Sequence, residues 1–215
     1  MKTLRVGILG GTFDPVHIGH LHVAREVRRS FGLDEIWFLV ARTPPHKKRI
    51  RISPVWHRCG MLAIATAEYP KFKICDYELT SNSGFTVDTL RALQRKYRAK
   101  ARFYFIAGGD ALRDFHKWYR FEALLNEFHV VFVNRPETGI QKLPAGVDPR
   151  VARHVRPYRK TDAPWEKGSF LIDVKAPNVS STQIRRRPVD LMKIQKWVLP
   201  SVYQYIRKHR LYQKV

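Results

Sequence analysis

Twice in this chain an apolar run closes on a pair of glycines. Leu4 to Leu9 leads into Gly10-Gly11, and Arg102 to Ala107, RFYFIA, leads into Gly108-Gly109. Short runs rich in β-branched and aromatic residues, bounded by turn residues, read as buried strands. After the first glycine pair, Leu21, Ala24, Val27 and Phe31 recur at helical spacing until Gly32 stops them. The same alternation continues. Glu35 to Ala41, Lys73 to Leu79, His129 to Val133 and Phe170 to Val174 read as strands. A helix is expected from Ser53-Pro54 to Ala67, with Ser53 as N-cap and Pro54 in the first helical position. Thr86 is expected to cap a second helix that runs to Tyr97, and Ser181 to Arg187 and Pro200 to Lys208 carry helical patterns near the close. Strands alternating with helices imply an α/β fold: a doubly wound, mostly parallel sheet with helices on both faces. Residues 1–215 read as a single domain, in which 178–215 form a small helical part. Pro136 to Lys167, rich in Pro, Arg and Lys and without periodicity, reads as a long surface connection. Open sheets of this kind bind ligands beyond the carboxyl ends of their strands. Both glycine pairs fall at such ends, so two candidate loops should lie side by side.

The charge balance bears on what reaches those loops. Forty Lys and Arg face eighteen Asp and Glu, a formal net charge of +22. Such a field concentrates anions, and nucleotides, nucleic acid and acidic membrane surfaces all qualify. No helix-turn-helix, zinc-finger or RNA-binding sheet motif accompanies the charge, so no specific nucleic-acid partner is expected. No window approaches the ~20 apolar residues of a membrane span, and no membrane partner is expected. Cys59 and Cys75 make no disulfide framework. With no export signal, a cytoplasmic location is expected. The sequence leaves open whether the chain forms a homo-oligomer.

The first loop, Gly10, Gly11, Thr12, Phe13, Asp14, Pro15, is suited to phosphate. Glycines after a strand let the backbone approach closely, and the next helix points its free N–H groups at the same place. His17 and His20 stand three residues apart at that helix start, where two imidazoles can share one face and donate to phosphate oxygens. Gly19 between them leaves room for a base or ribose. The histidines could instead take a metal with His22, although no carboxylate or cysteine cluster completes such a site.

ILGGTFDPVHIGH, residues 8 to 20, resembles the signature of the HIGH-motif nucleotidylyltransferases, whose motif histidines contact nucleotide phosphates. The superfamily's second signature, Ser-Ser/Thr-x-x-Arg at a helix start, is matched by Ser181 to Arg185 in NVSSTQIR. Alone, that tetrad would be a helix cap with a surface arginine. TPPHKK (43–48), GFTVDTL (84–90), AGGDALRDFHKW (107–118) and the closing IQKWVLPSVYQYIRKHRLY resemble the bacterial nicotinate-nucleotide adenylyltransferases. The likeness runs through nearly the whole chain and is weakest between Thr138 and Phe170. It implies a Rossmann-like fold and transfer of the adenylyl group of ATP to nicotinate mononucleotide, giving deamido-NAD and pyrophosphate in NAD biosynthesis.

The resemblance also implies residue roles. Gly10, Gly11, Thr12, Phe13, His17 and His20 would hold ATP, and Lys47 would reach its phosphates. Asp110 would meet the adenosine side, with Gly108 and Gly109 shaping its loop. Ser181, Thr182 and Arg185 would complete the triphosphate clamp. The nicotinate ring would stack on Trp118, and its carboxylate would meet the N–H groups of Thr86, Val87 and Tyr119. His17, His20, Lys47 and Arg185 would carry catalysis, with Mg²⁺ arriving on ATP and no metal held by the protein itself. Without the resemblance, Trp118 reads as a core aromatic, Lys47 as solvated and Asp110 as a helix cap. Two departures stand out. The family more often has Gly-Ala-Asp at 108–110, so Gly109 should loosen that loop. After Arg185 the usual glycine-containing turn is replaced by Arg186-Arg187-Pro188-Val189-Asp190. Nicotinamide mononucleotide and phosphopantetheine remain rival acceptors, and a basic nucleic-acid-binding protein is the rival of a different class.

Overall fold

The computed structural model describes residues 2–42, 52–81, 84–134, 143–159, 168–186 and 194–212. Among these, seven strands form one sheet in the order β3-β2-β1-β4-β5-β7-β6, with every neighbouring pair parallel. The strands are β1 (Leu4–Gly11), β2 (Glu35–Val40), β3 (Phe72–Cys75), β4 (Ala101–Gly108), β5 (His129–Asn134), β6 (Val155–Pro157) and β7 (Ser169–Asp173). Strand order runs one way from β1 to β3 and the other way from β4 onward, so the direction of winding reverses between β1 and β4. Crossover helices lie on opposite faces on either side of such a point, and a crevice opens above it.

The strands sort their side chains by period two. On one face, Leu9, Tyr104, Ile106 and Val131 pack with α1 (Ile18–Ser30), α2 (Val55–Thr66) and α8 (Pro200–Lys208). On the other, Val6, Ile8, Phe103, Phe105 and Val130 pack with α4 (Thr86–Tyr97), α5 (Phe121–Glu127) and a 3-10 helix, Gly109–Lys117. Burial of both faces explains why the strands read as unbroken apolar runs rather than alternating ones. The doubly wound α/β expectation therefore holds. Close packing also decides Gly7, where a Cβ would stand 2.6–2.9 Å from the side chains of Ile36, Ile106 and Leu33.

Several local expectations need correction. Pro54, not Ser53, is the N-cap of α2, and no side chain caps that helix. Ser53 instead gives its N–H to Asp14. The strand expected over Lys73 to Leu79 ends at Cys75, and a short helix, α3 (Tyr77–Thr80), follows. This strand sits at the sheet edge with β2 as its neighbour, and their register ends at Leu39 opposite Cys75. Phe85 rather than Thr86 is the N-cap of α4. The supposed surface connection over 136–167 contains α6 (Pro149–Ala152), capped by Asp148, and the edge strand β6.

Candidate active site

Gly10-Gly11 and Gly108-Gly109 end β1 and β4, which are hydrogen-bonded neighbours. The two loops are thus adjacent at the winding reversal. Gly10 is exposed there, whereas a Cβ on Gly11 would collide with the Phe13 ring. Phe13 itself is buried, its ring edge-on to Phe38 and His20, with φ at 50°. A bulky residue in the left-handed region is strained and needs its surroundings to hold it. The Asp14–Pro15 peptide bond is cis.

The histidines are built into the start of α1. His17 is its N-cap, and its Nδ1 accepts from the His20 N–H at 3.3 Å. The His20 Nδ1 accepts in turn from the His17 N–H at 3.2 Å. This is a reciprocal capping box made of two imidazoles. Because each Nδ1 accepts, the neutral rings carry their protons on Nε2. The rings stack at 3.6 Å between centroids, so both Nε2–H groups belong to one compact unit. His22 turns instead to Arg25, at 3.2 Å. The space expected beside Gly19 is filled: a Cβ there would sit 3.0 Å from His17 Nδ1 and 3.2 Å from Val179. A bare glycine is therefore required there by internal packing.

The second signature forms α7 (Ser181–Arg185), capped by Ser180 through a box with Gln183. It is fastened to the first loop. Ser181 Oγ donates to the Pro15 carbonyl at 2.9 Å, and Arg185 Nη1 donates to the Asp14 carbonyl at 2.6 Å. Arg185 Nη2 donates to Thr182 Oγ1 at 3.3 Å. Arg185 is thereby tied directly to the loop that leads into His17, with its side chain 10% exposed.

Three residues that the sequence did not single out hold this arrangement. The Asp14 carboxylate has no exposed surface; it accepts from Tyr212 Oη at 2.6 Å and Ser53 N–H at 3.1 Å, with Arg185 Nε at 3.9 Å. Arg58, also buried, donates to four carbonyls: Thr12 at 2.9 Å, Ala41 at 2.8 Å, and Ser53 and Arg42 at 3.2 Å each. Its burial pulls the guanidinium pKa down, opposed chiefly by the Asp14 charge. Burial, then the Asp14 charge and hydrogen bond, hold the Tyr212 phenol far above its usual range, so it stays a donor.

On the other side of the crevice, Asp110 is exposed in the first turn of the 3-10 helix and folds back over Gly108. Gly109 is not loose. A Cβ there would lie 3.1 Å from the Asn134 Cα and 3.2 Å from the Val133 carbonyl, because the loop lies directly on β5. Trp118 is half-buried against Phe105 and Phe115, at 6.0 and 4.9 Å between ring centroids. The Tyr119 ring lies tilted against Phe85, 4.3 Å between centroids, with both rings nearly half exposed. That contact brings the start of α4, with Thr86 and Val87, up to Trp118 and Tyr119. Lys47 lies outside the described residues.

Residues 8–187 match the family described as Cytidylyltransferase-like. A protein of Geobacter metallireducens named "probable nicotinate-nucleotide adenylyltransferase" is 36% identical, over 97% of this chain and 98% of its own. One of the same name from Oceanobacillus iheyensis is 38% identical over 96% of each. This chain belongs to the nicotinate-nucleotide adenylyltransferase family. Among solved structures, Plasmodium falciparum nicotinic acid mononucleotide adenylyltransferase complexed with NaAD is similar in fold, with a TM-score of 0.73, 24% identity and 97% of each chain covered. Among the described residues no helix is long and apolar enough to cross a membrane.

Proposed function

We propose that this family member joins ATP to nicotinate mononucleotide and releases deamido-NAD and pyrophosphate, in one catalytic unit formed by the whole chain. The observation that carries the reading is the fastening of α7 to the β1 loop through Ser181 and Arg185, which joins the second signature to the loop that leads into the stacked His17–His20 pair. In this reading the two Nε2–H groups and the guanidinium bracket the triphosphate, and Gly10 to Phe13 offer backbone to it. Lys47 adds a further cation, and Ser181 and Thr182 steady the second jaw. Asp110, with Gly108 and Gly109, meets the adenosine. The nicotinate ring lies on Trp118, and its carboxylate meets the N–H groups of Thr86, Val87 and Tyr119. The free N–H groups of a helix start favour an anion, which explains a preference for acid over amide.

The mononucleotide phosphate attacks the α-phosphorus in line, and the bond to pyrophosphate breaks. An anionic nucleophile needs no strong base, so positioning and charge neutralisation carry the step. The donors around the crevice are imidazoles, a guanidinium, hydroxyls and backbone N–H groups, so Mg²⁺ fits as an ion carried by the triphosphate and water. When bound, it would neutralise charge on the departing pyrophosphate.

The test supplies ATP with nicotinate mononucleotide, nicotinamide mononucleotide or phosphopantetheine and measures pyrophosphate. The highest kcat/KM is expected with the first. A higher kcat/KM with either of the others reassigns the acceptor, and no release with any of the three overturns the reading.

A further inference from the structure

We propose that Tyr212, which follows α8 and lies outside both signature motifs, is a positioning residue for adenylyl transfer, acting through Asp14 on Arg185. This rests on the function proposed above. The Asp14 carboxylate has no exposed surface and cannot itself meet a ligand. A buried carboxylate holds its place only while partners satisfy it. Its shortest hydrogen bond comes from Tyr212 Oη at 2.6 Å, within the range of a charge-assisted bond. The same residue fixes the guanidinium of Arg185 from two points, the carbonyl at 2.6 Å from Nη1 and the carboxylate at 3.9 Å from Nε. The carbonyl and Thr182 take the two Nη groups, and the Asp14 carboxylate supplies the negative charge on the Nε side of the fork.

The backbone around Tyr212 is shaped to make that bond. Beyond α8, Arg210 has φ of 49°, and its N–H and that of Leu211 return to the carbonyls of Arg207 and Ile206. This is a Schellman end, which accounts for Arg210. It does not account for Tyr212, a second left-handed residue with φ of 63°. For an L-residue of this size that conformation is unfavourable, and it persists where contacts over-determine it. The ring reaches Asp14 beside the Met61 sulfur, 3.9 Å from the hydroxyl. A side chain that served packing alone would not need its hydroxyl on a buried carboxylate of the ATP loop.

Tyr212→Phe keeps the ring and removes the donor. Kinetics are compared with the unaltered protein well below both melting temperatures. The expected result is a fall in kcat/KM for ATP of about tenfold or more, the scale on which small misplacements act, with KM for the mononucleotide changed less than twofold. A lowered melting temperature with unaltered kcat and KM for ATP would mean a structural role only and overturns the proposal. The second measurement needs no variant. Coupling between sites is reciprocal, so a non-hydrolysable ATP analogue should slow hydrogen exchange at the Leu211 and Tyr212 amides of the unaltered protein. Binding of the analogue without that slowing also overturns it. Should the unaltered protein fail to adenylylate nicotinate mononucleotide, the functional reading falls, while the exchange experiment still decides the link between Tyr212 and the ATP loop.

Discussion

At the residue scale, the two histidines do two jobs with two different nitrogens. Nδ1 caps α1, and in the proposed function Nε2–H donates to phosphate. The jobs can be separated. Asparagine at an N-cap accepts from the backbone as well as any residue, so His17→Asn should keep the melting temperature close to the starting value while kcat falls by ~10²-fold, the cost of losing a transition-state donor. Equal kcat in the variant would reduce His17 to a cap. Trp118→Ala should raise KM for the mononucleotide far more than KM for ATP; equal increases would argue that Trp118 only packs on Phe105 and Phe115. The glycine pairs, histidines, Arg185 and Trp118 were singled out in the sequence because spacing or resemblance marked them. Asp14 and Tyr212 lie in segments that carry the resemblance but were given no role by it, and Arg58 lies outside those segments. Arg58 looks like one more basic residue in a very basic chain, and only the convergence of four distant carbonyls turns it into a buried one.

At the scale of elements, α2 is the anchor of the loops above the sheet. From one buried position, Arg58 holds the β1 loop at Thr12, the end of β2 at Ala41 and Arg42, and the entry to α2 at Ser53. The planar fork suits that set, whereas an ammonium has three donors at a single point. Arg58→Lys should therefore leave buried carbonyls unmet, at about 1–3 kcal/mol for an unsatisfied group. Thermal denaturation should show the loss, and an unchanged melting temperature would remove Arg58 from its anchoring place. The central strands were legible because burial on both faces writes them as apolar runs. The periphery was not, since β6 and α6 are short, flanked by arginines, and take their form from β7 and from the Asp148 cap. Gly109 misled for a related reason: the sequence shows an extra glycine, and only the fold shows β5 pressed against it.

At the scale of the whole molecule, stability should depend on Glu78. This side chain is buried beside Thr89, which donates to it at 3.3 Å. Burial lifts its pKa from 4.5 to about 7, against the hydrogen bond from Thr89. Folding thus favours the protonated acid. The contribution of this group is full below about pH 4.5, declines as pH rises through about 7 and levels off beyond. The total loss is about 3 kcal/mol at most. Glu78→Gln should flatten that slope and raise the melting temperature at pH 8; a slope that survives the substitution would place its origin elsewhere. The charge of +22 acts at this scale too. Added salt should raise KM for both anionic substrates by screening the attraction, and salt-independent values would show that the surplus cations lie too far from the crevice to matter. One last feature concerns how the molecule comes to be folded. Asp14 draws its partners from residues 39, 171 and 198 positions further along the chain. Contacts of such long range form slowly, because the intervening chain must be ordered first. During synthesis, which proceeds from the N-terminal side, the carboxylate of the first loop must wait for residue 212 before its shell is complete. The nascent chain can build β1 and α1 early, but it should acquire a competent nucleotide loop only as one of its final folding events.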